Sequence, residues 1–131
     1  MPKTLIAAAL SASLCAAPAF AQDDPGAAEY MNACASCHGP EGKGDGPVAE
    51  LMTVAMPDLT QLSAGNDGVF PMFDVIQVID GRTGIRGHGY PMPVWGGRFK
   101  AQQTEAGDYS AEIVTRGRIL SLALYLEEMQ E

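Results

Sequence analysis

Hydrophobic residues along this chain fall into a few groups separated by long stretches rich in glycine and proline. Residues 5–17 form a nearly unbroken apolar run. Ala27 to Cys37 contains good helix formers and neither Gly nor Pro, which predicts a short helix. Gly39 to Pro47 places four Gly and two Pro in nine residues and must be a tight irregular loop. Val48 to Ala55 predicts a helical turn or two, stopped before Pro57. In Val69 to Asp80, Pro71 suits a first helical turn and Gly81 a stop, while Phe73, Ile76 and Ile79 recur at spacing three. Thr83 to Gly97 holds five Gly and two Pro and predicts an extended or looped segment. Phe99 to Tyr109 is polar and carries no periodic signal. A last helix is predicted from about Ser110 to Met129, apolar nearly all round between Ile119 and Leu126, which implies burial on more than one side. With no alternating strand, the pattern predicts an all-α domain of three to four helices joined by long Gly/Pro-rich loops.

The first apolar run changes the domain organisation. Lys3, the run from Leu5 and then Ala19-Phe20-Ala21 follow the pattern of a secretory signal cleaved after Ala21. At about 13 residues the run is shorter than the roughly 20 needed to span a bilayer. Leu14 before Cys15 makes a lipid-anchor cysteine a poor reading. The expected organisation is a signal at 1–21 and one domain at 22–131, exported to the periplasm, with no transmembrane segment in the mature chain and a monomeric state. Of the three cysteines only Cys34 and Cys37 then remain. Eight Lys plus Arg against sixteen Asp plus Glu give a net charge of −8, which argues against a nucleic-acid grip.

Cys34-Ala35-Ser36-Cys37-His38 is the run that carries chemistry. A zinc site needs four ligands, and His38 directly abutting Cys37 wraps one ion poorly. A dithiol redox pair wants a strand-to-helix setting, which the pattern does not supply. Covalent haem attachment uses every residue of the run. The sulfurs of Cys34 and Cys37 lie on one side of a helical turn and add to two vinyl groups, while His38 turns its imidazole to the iron.

One axial position is then left to fill. His88, Met31, Met52, Met56, Met72, Met92 and Met129 are the candidates. Met31 and Met129 belong to the terminal helices and read as core residues, and Met72 opens the middle helix, where packing is the expected role. Met52 and Met56 follow His38 by only 14 and 18 residues, a short path around a large planar ring. Met92 sits in Tyr90-Pro-Met-Pro-Val-Trp-Gly96, a segment stiffened by two prolines, and leads the set. His88 keeps a bis-histidine variant of lower potential open.

The sequence resembles the class I c-type cytochromes, specifically small bacterial monohaem ones. The matching features are Gly26-x-x-x-Tyr30, Cys34-Ala-Ser-Cys37-His38-Gly39, Gly42-x-Gly44, Pro57-x-Leu59, Met92-Pro93-x-Trp95-Gly96 and Leu122-Ala-x-Tyr125-Leu126. The resemblance implies a cytochrome c fold wrapped around one covalently bound haem c. It implies that the first and last helices cross near Gly26, Tyr30 and Tyr125. It also implies that the Pro57 carbonyl accepts the second ring N–H of His38, and that Trp95 and Arg82 or Arg86 lie near the haem propionates. The segment 99–109 is longer than the simplest members of the family require.

His/Met ligation leaves the iron no open position, so the expected function is electron transfer and not enzymatic catalysis. The expected protein is a periplasmic shuttle that meets redox partners, through a basic docking patch on the partner toward which its acidic surface would steer. An electron-transfer subunit held to a dehydrogenase or oxidase is the near alternative. A gas-binding or sensing haem protein with an exchangeable sixth ligand is the alternative of another class.

Overall fold

The computed structural model describes residues 24–84, 92–103, 105 and 107–131. The signal segment, Cys15, Arg86, His88, Tyr90 and Pro91 lie outside the described residues. Among the described residues there are five α-helices, three short 3₁₀ turns and no strand, an all-α architecture.

Helix α1 (Pro25–Ala33) starts where the sequence provides both a cap and a stiff first turn. The Asp24 carboxylate accepts from the Gly26 amide at 2.8 Å and from Ala27, and Pro25 occupies the first turn, where a missing N–H costs nothing. The single helix expected through Cys37 is two helices, because the chain breaks at Cys34 and restarts as α2 (Ala35–His38). Only one 3₁₀ turn, Ala49–Leu51, forms in the segment expected to give a helical turn or two. Two more, Leu59–Gln61 and Ala64–Asn66, follow Pro57.

Helix α3 (Met72–Asp80) ends at Gly81, whose left-handed φ of 66° lets its amide return to the Gln77 carbonyl. Its buried residues are Val75 and Ile79, an i, i+4 pair, with Ile76 partly covered. Phe73, the first of the residues recurring at spacing three, is 70% exposed. Helix α4 (Trp95–Ala101) starts at the end of the stretch expected to be loop and runs into the segment that carries no periodic signal. Helix α5 (Asp108–Glu128) is the element on which α1, α3 and α4 all pack. It buries Ala111, Thr115, Ile119, Leu122, Ala123 and Leu126, whereas Leu120 and Leu124 on the other side are each 45% exposed. The apolar run in α5 is thus buried on one broad side and not all round.

The α1–α5 crossing sets the frame of the molecule. A Cβ on Gly26 would collide with the Ser121 carbonyl and sit 2.7 Å from Tyr125 Cβ, so only glycine admits this approach. Beside it the Tyr30 and Tyr125 rings meet at 5.4 Å, tilted by 51°. Arg118 of α5 closes the far side. Its guanidinium donates to Glu29 of α1 at 2.6 and 2.9 Å, donates to Gln102 after α4, and lies 3.9 Å over the Phe99 ring. Phe99 is 1% exposed, so a segment that reads as polar supplies one of the largest core side chains.

Candidate haem site

The site begins at the break between α1 and α2. The Cys34 carbonyl accepts from the amides of Cys37 and His38 at 3.1 and 2.9 Å. That single turn puts the two sulfurs three residues apart on one side, with the imidazole next along the chain. Both thiols are free and half-buried. Burial, reinforced by Glu29, pushes the Cys34 thiol up to about 12. It stays protonated at neutral pH, unlike the low-pKa thiolate that a dithiol oxidoreductase requires. Among the described residues no three His, Cys, Asp or Glu side chains gather as ion ligands, so the two cysteines and His38 are not arranged as a zinc set.

His38 is buried, and burial holds its imidazole below the usual histidine value. A hydrogen bond with the Pro57 backbone works in the other direction. Proline has no amide hydrogen, so the imidazole N–H donates and the Pro57 carbonyl accepts. That leaves the other ring nitrogen with its lone pair for a metal, and fixes which tautomer carries it.

The Gly/Pro-rich loop brings Pro57 to His38. Gly39 turns the chain at a φ of 81°, and its carbonyl accepts from the Tyr30 hydroxyl at 2.7 Å. Gly44, at a φ of 79°, donates its amide to the His38 carbonyl at 2.7 Å. A Cβ there would strike the carbonyl of Met56 and stand 3.2 Å from that of Pro57. Glycine at 44 therefore lets the 56–57 backbone lie against the loop. Beyond Pro57, the Asp58 side chain caps the next turn through Thr60, and the Leu59 amide reaches the Gly42 carbonyl at 2.7 Å. Lys43 and Gln130 tie the same turn to the end of the chain. Lys43 Nζ donates to Thr60 at 2.8 Å and to Glu131 at 2.6 Å, and Gln130 donates to the Leu59 carbonyl at 2.8 Å. This clamp was not foreseen, although Asp58-x-Thr60 is a pattern in which an aspartate caps its own turn.

Met92 is partly buried and packs against the same core cluster as Cys34, Phe70, Met72, Ile76 and Trp95. Of the other methionines, Met72 and Met129 pack on that cluster as expected. Met31, expected in the core, is 55% exposed on the outer side of α1. Met52 and Met56 are half-buried. Trp95 stacks near Phe99 at 5.5 Å and under the Arg98 guanidinium at 5.3 Å. Arg82 is engaged by Asp80 and Glu112.

Two thiols, an oriented imidazole and a thioether are side chains that fit a haem c chemically, and of these Cys34 and Met92 pack against one apolar cluster. The cytochrome c family pattern matches residues 24–107, well over half of the chain. This protein belongs to the cytochrome c family. Its cofactor is haem c, its chemistry is haem-based electron transfer, and its partners are redox partners. No curated protein and no solved structure matches the chain. No described helix is long and apolar enough to cross a membrane.

Proposed function

We propose that the protein is an exported single-haem electron carrier, with a signal at 1–21 removed and the domain at 22–131 working in the periplasm. Cys34 and Cys37 would hold the haem through thioether bonds, and His38 and Met92 would be the ligands of its iron. The observation that carries this reading is the buried His38, one residue past the cysteine pair and oriented by Pro57. Bound in this way, haem c supplies a one-electron ferric/ferrous couple.

The chain's own residues adjust that couple. Pro57 keeps the His38 ring in one orientation and makes it a stronger donor. The soft Met92 thioether favours ferrous iron and raises the potential. With both positions filled, no substrate binds the metal and no acid, base or nucleophile is called for, so the protein is a carrier and not an enzyme.

Visible spectra of the purified holoprotein, oxidised and reduced, with and without carbon monoxide, test the reading. A thioether-to-iron charge-transfer band in the ferric form and indifference to carbon monoxide in the ferrous form are expected. Haem should also stay with the polypeptide after denaturation in acidified acetone. Ready carbon monoxide binding by the native protein would overturn the closed site, and haem extracted by the solvent would overturn the thioethers. Met92→Ala should abolish the charge-transfer band and open the iron to carbon monoxide.

A further inference from the structure

The segment that carries Met92 rests on one ionic knot. Asp80 closes α3, and Arg82 follows across the left-handed Gly81. Arg82 Nε and Nη2 donate to the Asp80 carboxylate at 2.5 and 2.9 Å. Nη1 and Nη2 donate to Glu112 of α5 at 2.7 and 3.1 Å. Glu112 accepts in addition from Arg116 at 2.8 Å. The three side chains of the central knot are no more than 28% exposed. A guanidinium has five N–H donors, and these contacts use all but one of them.

The chain returning after Met92 seats itself on the Asp80–Arg82 turn twice, once on Gly81 and once on the knot. A Cβ on Gly81 would lie 3.4 Å from Val94 Cα and from both Val94 methyl carbons, so Val94 packs directly on the turn. A Cβ on Gly96 would collide with Asp80 Oδ1 and with Arg82 Nε. Val94 and Gly96 stand two and four residues beyond Met92. Val94 also forms the start of α4 and makes no side-chain cap bond there, so its contact with the Gly81 turn is the packing that meets the chain at that point.

We propose that Arg82 is a positioning residue for the axial thioether: clamped between Asp80 and Glu112, it forms the seat for Val94 and Gly96 and thereby holds Met92 in place. This departs from the propionate role implied by resemblance, because the guanidinium is already committed to two carboxylates. A lysine cannot replace it, since an ammonium lacks the planar fork that spans both acids. The inference rests on Met92 being the iron ligand, and its test separates the two ideas.

The ferric holoprotein and its variants are titrated with imidazole at neutral pH, following the thioether-to-iron band, with far-UV circular dichroism as the check on folding. Arg82→Gln should bind imidazole at least tenfold more tightly than wild type with helical content unchanged, and Arg82→Lys should not restore the wild-type value. Glu112→Gln, which keeps its size and loses one charge, should move the same way by about threefold, and carries the test if Arg82→Gln does not fold. Unchanged imidazole affinity in these variants, beside a large gain in Met92→Ala, would overturn the seat while leaving Met92 as ligand. A shifted reduction potential with unchanged imidazole affinity would also overturn it, by assigning Arg82 to the haem itself. Wild-type affinity equal to that of Met92→Ala would instead overturn Met92 as ligand.

Discussion

Tyr30 links the two functions of the first helix, packing and the support of His38. Its ring packs on Tyr125 while its hydroxyl donates to the carbonyl of Gly39, the residue after His38, at 2.7 Å in a buried setting. Burial, with help from nearby acidic groups, raises its phenol well above the usual tyrosine value, so it remains a donor at any physiological pH. Tyr30→Phe keeps the ring and leaves a buried carbonyl without its donor, at a cost of about 1–3 kcal/mol. The check is a lower urea midpoint for the holoprotein at unchanged slope. At this scale the cysteines and His38 were legible because their spacing is itself the chemistry. Tyr30 was legible only as a helix-crossing residue. Its bond to Gly39 depends on the break at Cys34 and the left-handed turn at Gly39, and neither shows as a hydrophobic period.

Two glycines set opposite expectations at the scale of helices. Gly26 lies where α1 touches the backbone of α5, and Gly117 lies within α5 with open space over it. Gly26→Ala must push the helices apart, destabilising by about 1–3 kcal/mol. Gly117→Ala meets nothing and removes glycine's entropic penalty, stabilising by about 0.5–1 kcal/mol. Thermal unfolding of both holoproteins against wild type checks the pair, and equal shifts of one sign would refute the crossing geometry. The same scale explains why α4 escaped a reading by pattern. Trp95-Gly-Gly-Arg-Phe-Lys-Ala101 has two poor helix formers and no long apolar stripe. It is helical because Phe99 is buried under Arg118 of α5 and Gly96 fits against Asp80 and Arg82, contacts between residues far apart in sequence. The long α5 was legible, but not the exposure of Leu120 and Leu124, since an unbroken apolar run does not say which side its neighbours cover.

For the whole molecule, charge is the property that reaches beyond single contacts. A net charge of −8, made one unit more negative when Lys3 leaves with the signal, should steer the protein toward a basic surface on its redox partner. Electron-transfer rates with such a partner should fall as salt is raised, and a rate indifferent to salt in stopped-flow measurements would remove steering from the account. Acid acts on the same charges from within the fold. Hydrogen bonds from Arg82 first and Arg116 second hold the Glu112 carboxyl down at about 2, against an ordinary 4.5. Asp80 is held below its ordinary value chiefly by Arg82, with Glu112 nearby working weakly the other way. Between about 4.5 and 2 the unfolded chain therefore binds more protons at Glu112 than the folded one, and Asp80 acts in the same direction. The stabilisation they give is complete above about 4.5 and is lost as pH falls toward 2. Glu112→Gln removes one titrating partner, so its acid unfolding, followed by far-UV circular dichroism, should show a shallower loss of stability across that interval. Wild type and variant losing stability in parallel would mean that the knot is not an acid-sensitive fastening. Below the isoelectric point of about 4.6 the growing positive charge burdens both proteins alike, so a steeper acid loss in wild type than in Glu112→Gln is ascribed to this fastening between α3 and α5.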